Sequence, residues 1–277
     1  LAREMPDLDA MVQSIVSLRP TQELWRAHRQ ELTDPWVGPG ANRHRAMITG
    51  HVDQLIDQWL DRGGGSSRID FVAQFARPLP QRTMASVLGF PLEDIPQLEV
   101  WGNAQVMSYV HGCGHNNILT PEQTAEKFRL LAGMSDYVRD KVRAKRANPQ
   151  DDMISFLTQV EYKALGRKLT DDEINGVVYA MVIGGLETTQ YALCEQAQLL
   201  SERPGLFERL KADRALIRPF IEEGMRLRSP TQGLSTRMCV QDEVFQGVAV
   251  PAGSTLHLRW GAANVDPDEF EDPKELK

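Results

Sequence analysis

TDDEINGVVYAMVIGGLETTQYALCEQAQLLS, residues 170–201, is the stretch of sequence that decides the fold. Thr170, followed three residues later by Glu173, forms a capping box, which predicts that a helix begins here. No breaker follows until Pro204-Gly205, so we expect the helix to run to about Ser201, about 48 Å at about 1.5 Å per residue. Its middle is apolar on every face, which predicts a helix through the centre of the fold rather than over its surface.

The middle of this helix carries Gly184-Gly185-Leu186-Glu187-Thr188-Thr189. Each glycine costs a helix about 1 kcal/mol relative to alanine. A sequence accepts that cost where something must approach the backbone closely or where the helix must bend. A buried Glu187 needs a partner or a role, and Thr188 can offer its hydroxyl to a widened groove. These residues alone equally permit simple helix packing through glycines with a solvent-facing Glu187.

The remaining chain is predicted to be mainly α-helical, with a small β-hairpin region near its C-terminal end. Apolar spacing, proline starts and glycine or proline stops predict further helices. They are expected at Leu24–Thr33, Arg45–Arg62, Pro91–Tyr109, Pro121–Ala147 and Ile217–Arg228. Turn residues between short apolar runs predict strands at Thr236–Val240, Glu243–Val250 and Thr255–Trp260. No repeat or linker divides the chain, so residues 1–277 are expected to form a single domain.

The composition is that of a globular protein: 277 residues, 42% hydrophobic and 25% charged. The net charge of −7 argues against nucleic acid or an anionic membrane surface as the main partner. Cys113, Cys194 and Cys239 are widely spaced and odd in number, which fits a reducing compartment. The run Val177–Ile183 is far shorter than the roughly 20 apolar residues of a membrane span. Since no signal-peptide pattern follows Leu1, a cytoplasmic location is expected.

Two further residue pairs have helical spacing. Glu223 and Arg226 lie three residues apart on one helix face and can form an ion pair. Trp25 and Arg29 lie four apart and could present an indole N–H and a guanidinium to one anion. Either pair could also be ordinary: a solvated surface ion pair or an amphipathic helix with aromatic packing.

The segment His111-Gly112-Cys113-Gly114-His115 contains three alternating soft ligands. Zinc sites usually have four tetrahedral ligands, and no fourth candidate stands nearby in the sequence. The glycines favour a flexible loop, and no metal ligand is assigned within this chain.

Taken in order, these pieces resemble the cytochrome P-450 family, the haem-thiolate monooxygenases, and in particular its soluble bacterial members. Residues 184–189 are similar to the family's oxygen-activating signature on its longest helix. Trp25 and Arg29 match a Trp-x-x-x-Arg pattern, and Glu223 and Arg226 match a Glu-x-x-Arg helix. The other matching pieces are Leu227-Arg228-Ser229-Pro230, Arg237, Pro251-Ala252-Gly253-Ser254-Thr255 and Ala262-Ala263-Asn264-Val265-Asp266-Pro267.

The resemblance implies a role for each matching residue. Glu187 and Thr188 would be catalytic and relay protons during oxygen activation. The residues implied to bind haem b are Trp25, Arg29, Gly184, Gly185 and Arg237. Glu223 and Arg226 would be a structural pair. The residues expected in the substrate pocket are Met181, Gln232, Gly233, Leu234 and Ser235.

The implied reaction is insertion of one oxygen atom from O2 into a small apolar organic substrate, with electrons from a ferredoxin-type donor. The family's haem-ligating cysteine lies in a glycine-containing loop, and Cys113, Cys194 and Cys239 all lack that context. We therefore expect the ligand loop to follow Lys277, and further family helix and strand to precede Leu1. The 277-residue piece by itself is then expected not to ligate haem normally and to be inactive.

Two rival interpretations remain at this point. One is a non-catalytic helical binding or scaffold fragment that does not take up haem. The other is a non-haem metal enzyme that uses His111, Cys113 and His115.

Overall fold

A computed structural model describes residues 14–19, 21–63, 68–111, 118–233 and 236–277. The described chain is mainly α-helical with a few short strands, which confirms the predicted fold class. It divides into two compact units, an N-terminal unit of residues 1–187 and a C-terminal unit of residues 188–277. No helix in these described ranges combines the length and the hydropathy that a bilayer span requires.

The N-terminal unit contains most of the helices and one short antiparallel hairpin. Its α-helices are α1 (Gln22–Ala27), α2 (Arg45–Gly63), α3 (Pro78–Leu88), α4 (Ile95–Val110), α5 (Pro121–Ala147), α6 (Met153–Gln159) and α7 (Asp171–Gly185). Its hairpin pairs β1 (Glu161–Tyr162) with β2 (Arg167–Lys168). The same unit also contains π-helical turns at His28–Thr33 and Val72–Ala76, and 3-10 turns at Val16–Leu18, Gly38–His44 and Leu92–Asp94.

The C-terminal unit joins a few helices to two strand pairs. Its α-helices are α8 (Glu187–Glu202, whose first residue belongs to the N-terminal unit), α9 (Leu206–Ala212), α10 (Ile217–Leu227) and α11 (Trp260–Ala263). A 3-10 turn, Arg214–Leu216, precedes α10. The strands are β3 (Thr236–Met238), β4 (Glu243–Phe245), β5 (Val248–Val250) and β6 (Thr255–His257). β3 pairs with β6 and β4 with β5, both antiparallel.

Helix α7 is the central element of the N-terminal unit, as its all-round apolar sequence predicts. It packs against α3, α4, α5 and α6. Ile174, Val177, Val178 and Val182 along it are each at most 1% exposed. In the C-terminal unit a smaller core forms around Leu199, Leu210 and Phe220.

Side-chain caps fix the starts of the two helices whose sequences predict them most clearly. At α5 the Thr120 hydroxyl accepts from the Gln123 N–H at 3.2 Å while the Gln123 side chain accepts from the Thr120 N–H at 2.9 Å. Thr170 and Glu173 exchange the same pair of hydrogen bonds at α7. These reciprocal bonds satisfy backbone donors that the first helical turn leaves unpaired.

The predicted continuous helix over residues 170–201 is wrong, because the structure separates it into α7 and α8 at Leu186. Two adjacent glycines just before the break weaken the helix there. Glu187 is the first residue of α8. The break therefore falls inside the motif that the sequence singles out.

Other elements also differ from the sequence prediction. The helix expected at Leu24–Thr33 changes from α to π at His28. The strand expected at Glu243–Val250 is a hairpin, because Gln246 and Gly247 at its centre adopt φ of 49° and 83° and turn the chain. The β1–β2 hairpin was not predicted; its turn uses Gly166 at φ 64°.

A buried ion pair joins the end of α5 to the start of α6. The side chains of Lys145 and Asp152 are 8% and 5% exposed and are in direct contact. Asp152 also caps α6 by accepting from the Ser155 N–H at 2.8 Å. Gly89 lies against this pair with φ 77°, and a Cβ at that position would overlap Asp152.

We expect Lys145→Met to lower the free energy of unfolding by about 3–5 kcal/mol, because it leaves the Asp152 carboxylate buried without its counter-charge. The matched control is Lys211→Met, which breaks an exposed pair with Glu208 and should cost no more than about 1 kcal/mol. Urea unfolding measures both. Equal effects of the two substitutions would contradict the assignment of Lys145–Asp152 as a buried pair.

Candidate functional site

Gly184 and Gly185 end α7 and have different surroundings. A Cβ built on Gly184 would meet no atom of the described residues within 4 Å. A Cβ on Gly185 would overlap the end of the Met84 side chain, which belongs to α3. Packing against Met84 therefore accounts for the glycine at 185 within the N-terminal unit, and Gly184 is the position that leaves space beside the helix.

Glu187 and Thr188 follow the break directly, at the start of α8. Both residues are half-buried. Burial raises the pKa of the Glu187 carboxyl above its ordinary value of 4.5. A carboxyl whose pKa is raised in this way binds and releases a proton closer to neutral pH than an exposed glutamate does. The hydroxyl of Thr188 is the adjacent group that can donate or accept in a proton relay.

Trp25 and Arg29 stand on one side of α1 and the π-turn that continues it. Trp25 is 44% exposed, an unusual exposure for a tryptophan in a unit with a large core. The Arg29 side chain is 41% exposed, and its Nη2 lies 3.1 Å from Asp34 Oδ1. The helix thus presents an indole N–H and a guanidinium to the surface of the unit.

His28, between these two residues in sequence, is fully buried. Its Nδ1 accepts a hydrogen bond from Arg19 Nε at 3.2 Å. Burial, assisted by the charges of Arg19 and Arg29, lowers the pKa of His28 to about 3. His28 is therefore neutral at physiological pH and carries its proton on Nε2. No sequence signal predicted this buried contact, because a lone histidine on an amphipathic helix is compatible with either face.

Glu223 and Arg226 form the ion pair that their spacing predicts. Two bonds of 2.7 Å join the guanidinium to the two carboxylate oxygens, and these hydrogen bonds from Arg226 lower the pKa of Glu223. The guanidinium also donates to three backbone carbonyl oxygens, those of Asn264, Pro273 and Glu275, at 2.7, 2.8 and 3.1 Å. One side chain on α10 thereby holds three points of the irregular C-terminal stretch.

The other predicted site residues lie in separate places. Arg237 is exposed on β3, opposite Leu256 of β6. Met181 is half-buried on α7. Gly233 follows α10, and its carbonyl oxygen lies 2.7 Å from His257 Nε2; Gln232 precedes it. The predicted pocket residues Leu234 and Ser235 lie outside the described residues.

The cysteines determine whether this chain itself can supply a thiolate ligand. Burial and the Glu195 charge raise the pKa of Cys194, which disfavours the thiolate. Cys239 is buried, and its Sγ donates to the Gln241 carbonyl at 3.1 Å. Neither environment fits a metal-bound thiolate. Cys113 and His115 lie outside the described residues, and no cluster of three or more His, Cys, Asp or Glu side chains suited to a metal ion occurs within them.

The surroundings of the other residues fit a flat, anionic cofactor. A half-exposed tryptophan and an arginine one helical turn apart can bind carboxylates. No described atom lies within 4 Å of a Cβ on Gly184, which leaves room for a planar group at that point. Neither of the described cysteines, Cys194 and Cys239, has an environment that suits the thiolate ligand of a haem.

Comparison with known proteins gives a consistent picture. The family model "Cytochrome P450" matches residues 7–277. The chain is 29% identical over 229 residues to the polyketide biosynthesis cytochrome P450 PksS of Bacillus subtilis, covering 83% of this chain and 53% of that protein. It is 30% identical over 246 residues to a steroid C26-monooxygenase of Mycolicibacterium smegmatis, covering 87% and 58%.

Among solved structures, P450BioI in complex with acyl carrier protein ligated by hexadec-9Z-enoic acid superposes with a TM-score of 0.83 at 25% identity. That match covers 98% of this chain and 66% of the other. The chain thus spans only part of each of these relatives, little more than half of the curated ones.

We expect Glu187→Gln to raise the free energy of unfolding at neutral pH. Because the folded-state pKa of Glu187 lies above the unfolded value of 4.5, the wild-type protein loses stability as pH rises from the unfolded to the folded pKa. The variant lacks this loss. Plots of the free energy of unfolding against pH should therefore diverge between the unfolded-state and folded-state pKa of Glu187 and remain a constant distance apart at higher pH. The control is Glu208→Gln at an exposed position, which should not introduce this pH dependence. A Glu187→Gln effect that is the same at pH 4 and pH 7 would contradict the proposed burial of this carboxyl.

Proposed function

Since this chain belongs to the cytochrome P450 family, we propose that the whole protein is a haem-dependent monooxygenase that inserts one oxygen atom from O2 into an apolar organic molecule. The observation that carries this proposal is the break between α7 and α8. It places an open glycine, a half-buried carboxyl with a raised pKa and a threonine hydroxyl within five consecutive residues.

We assign the cofactor contacts as follows. Following the family pattern, we assign Trp25, Arg29 and Arg237 to the haem propionates, which they would bind by charge-assisted hydrogen bonds. The backbone at Gly184 and Gly185 would lie against the haem face. When bound through a cysteine thiolate, haem supplies the activation of O2 and the cleavage of its O–O bond. Following the family pattern, we assign the thiolate to a cysteine of the whole protein outside this chain.

The network behind Arg29 supports this assignment. Arg19 donates a hydrogen bond to the buried His28 ring, and the Thr33 hydroxyl donates one to the Arg29 carbonyl oxygen at 3.2 Å. These bonds fix the π-turn from which the Arg29 side chain projects. A fixed turn reduces the entropy that the guanidinium loses on binding a propionate. Glu223 and Arg226 have a supporting role, because their bonds organise the C-terminal stretch.

The proposed catalytic residues act on protons. Glu187 takes up a proton from solvent, which its raised pKa favours. Thr188 accepts that proton at its hydroxyl and donates its own hydrogen towards the oxygen being reduced. The hydroxyl also positions water at the break. Glu187 and Thr188, which are adjacent in sequence, would thereby transfer protons from the solvent to the site of the reaction.

The proposed substrate pocket includes Met181, Gln232, Gly233, Leu234 and Ser235. The Mycolicibacterium smegmatis relative is named a steroid C26-monooxygenase, and steroids are apolar organic molecules. We propose that this protein too acts on an apolar organic substrate, receives electrons from a ferredoxin-type donor and is located in the cytoplasm. Residues 1–277 are proposed to belong to a single cytochrome P450 domain. The net charge of −7 supports the absence of nucleic acid and membrane-surface partners.

In the whole protein, Thr188→Ala is expected to uncouple electron consumption from product formation. A methyl group cannot pass a proton, so product formed per electron pair should fall about tenfold or more. The measurement compares reduced cofactor consumed with product and peroxide released. Thr188→Ser keeps the hydroxyl and should retain coupling. Unchanged coupling and yield in Thr188→Ala would reject the proton relay, and a carbon monoxide difference spectrum without the thiolate-haem band would reject the monooxygenase assignment itself.

A further inference from the structure

Helix α4 contacts α7 at two points that lie on either side of the paired glycines. Gln105 and Gly102, three residues apart, share one face of α4. The Gln105 Nε2 donates to the Tyr179 carbonyl oxygen of α7 at 3.1 Å, and a Cβ on Gly102 would lie 3.0 Å from Leu186 Cδ1. Tyr179 and Leu186 are seven residues, about two helical turns, apart. The two contacts therefore span the last turns of α7.

The Gln105 amide is buried although only part of it is hydrogen-bonded. The residue is 0% exposed, and its bond to Tyr179 fixes the orientation of the amide, since a flipped amide would set two acceptors against each other. The Oε1 of the same amide is buried and has no hydrogen-bond partner among the described residues. Burying an acceptor without a donor costs more free energy than one N–H···O bond returns. An apolar side chain of this size would therefore suit the core at least as well.

The Tyr179 carbonyl does not depend on the Gln105 amide for a partner. In a regular helix it accepts from the N–H four residues on, and α7 continues to Gly185. The first half of α7 has its own buried link to a neighbouring helix, because the Asn175 amide donates to the Ser135 hydroxyl of α5. What Gln105 adds is a fixed position of the second half of α7 relative to α4.

A helix that ends in two glycines frays readily, because each glycine weakens the last turn and terminal turns open at a low cost in free energy. We propose that Gln105 is a positioning residue, whose amide works with the close contact at Gly102 to hold the last turn of α7, Gly184 included, in one place. The buried Oε1 is then tolerated for the sake of a fixed position at the break rather than for a more stable fold. Gly184 is the residue proposed to lie against the haem, and the role of Gln105 in oxygen activation therefore rests on the proposed function.

Hydrogen–deuterium exchange of the whole protein measures this role directly. Gln105→Met replaces the amide with an apolar side chain of similar length. The backbone amides of residues 183–185 should then exchange about two- to tenfold faster, the effect of losing one net hydrogen bond. The amides of residues 174–178 should be unaffected, because the link between Asn175 and Ser135 remains. The matched control, Gln97→Met, removes an exposed amide from the same helix and should change neither segment.

Urea unfolding separates positioning from ordinary stabilisation. Gln105→Met removes the buried acceptor and leaves the Tyr179 carbonyl with its helical partner, so the variant should unfold at no lower urea concentration than the wild type. A stabilising role for Gln105 would instead lower the unfolding midpoint and the protection of all of α7 together.

The infrared C–O stretching band of carbon monoxide bound to the ferrous haem tests the consequence for the site. The band should broaden in Gln105→Met and not in Gln97→Met, because a loosened last turn samples more positions beside the bound probe. If the wild type shows no thiolate-haem band at all, the proposed function fails, while the exchange rates still decide whether Gln105 positions α7. Equal exchange at residues 183–185 in the wild type and Gln105→Met, a lower urea midpoint, or an unchanged C–O band despite faster exchange would each overturn the proposal.

Discussion

Burial of α7 among four surrounding helices is the constraint on which the N-terminal unit depends. A helix enclosed by α3, α4, α5 and α6 must be apolar all round, and a side chain at Gly185 would have to displace the end of the Met84 side chain. The same enclosure fixes the point at which the helix ends. The placement of Gly184 and Gly185 within the N-terminal unit is therefore determined by packing as well as by local sequence.

The buried charges of the protein are stabilised in distinct ways, and each indicates a different role. Lys145 is matched by a carboxylate of the protein and stabilises the fold. Arg226 uses one guanidinium for a carboxylate and three carbonyl oxygens, and so organises a stretch that has little secondary structure of its own. His28 is buried as a neutral imidazole and therefore needs no counter-charge.

Local signals predicted much of the fold from sequence. The helix start at Thr170 and the bounds Pro121–Ala147 follow from capping residues and proline positions, which act within one helical turn. The break at Leu186 and the burial of His28 and Lys127 depend on contacts from residues distant in the chain, and no periodicity encodes them. Of the candidate site, the pairing of Glu223 with Arg226 follows from helical spacing, whereas the different surroundings of Gly184 and Gly185 require the position of Met84.

The haem content of a Gly184→Leu variant of the whole protein tests the central claim most directly. A leucine at this position meets no described atom at its Cβ, so the helical content measured by circular dichroism should stay near that of the wild type. Haem bound per chain should fall several-fold, because the side chain occupies the space assigned to the cofactor. Gly50→Leu, on α2, is the matched control, since a Cβ there is equally unobstructed, and it should retain haem. Wild-type haem content in Gly184→Leu would contradict the account.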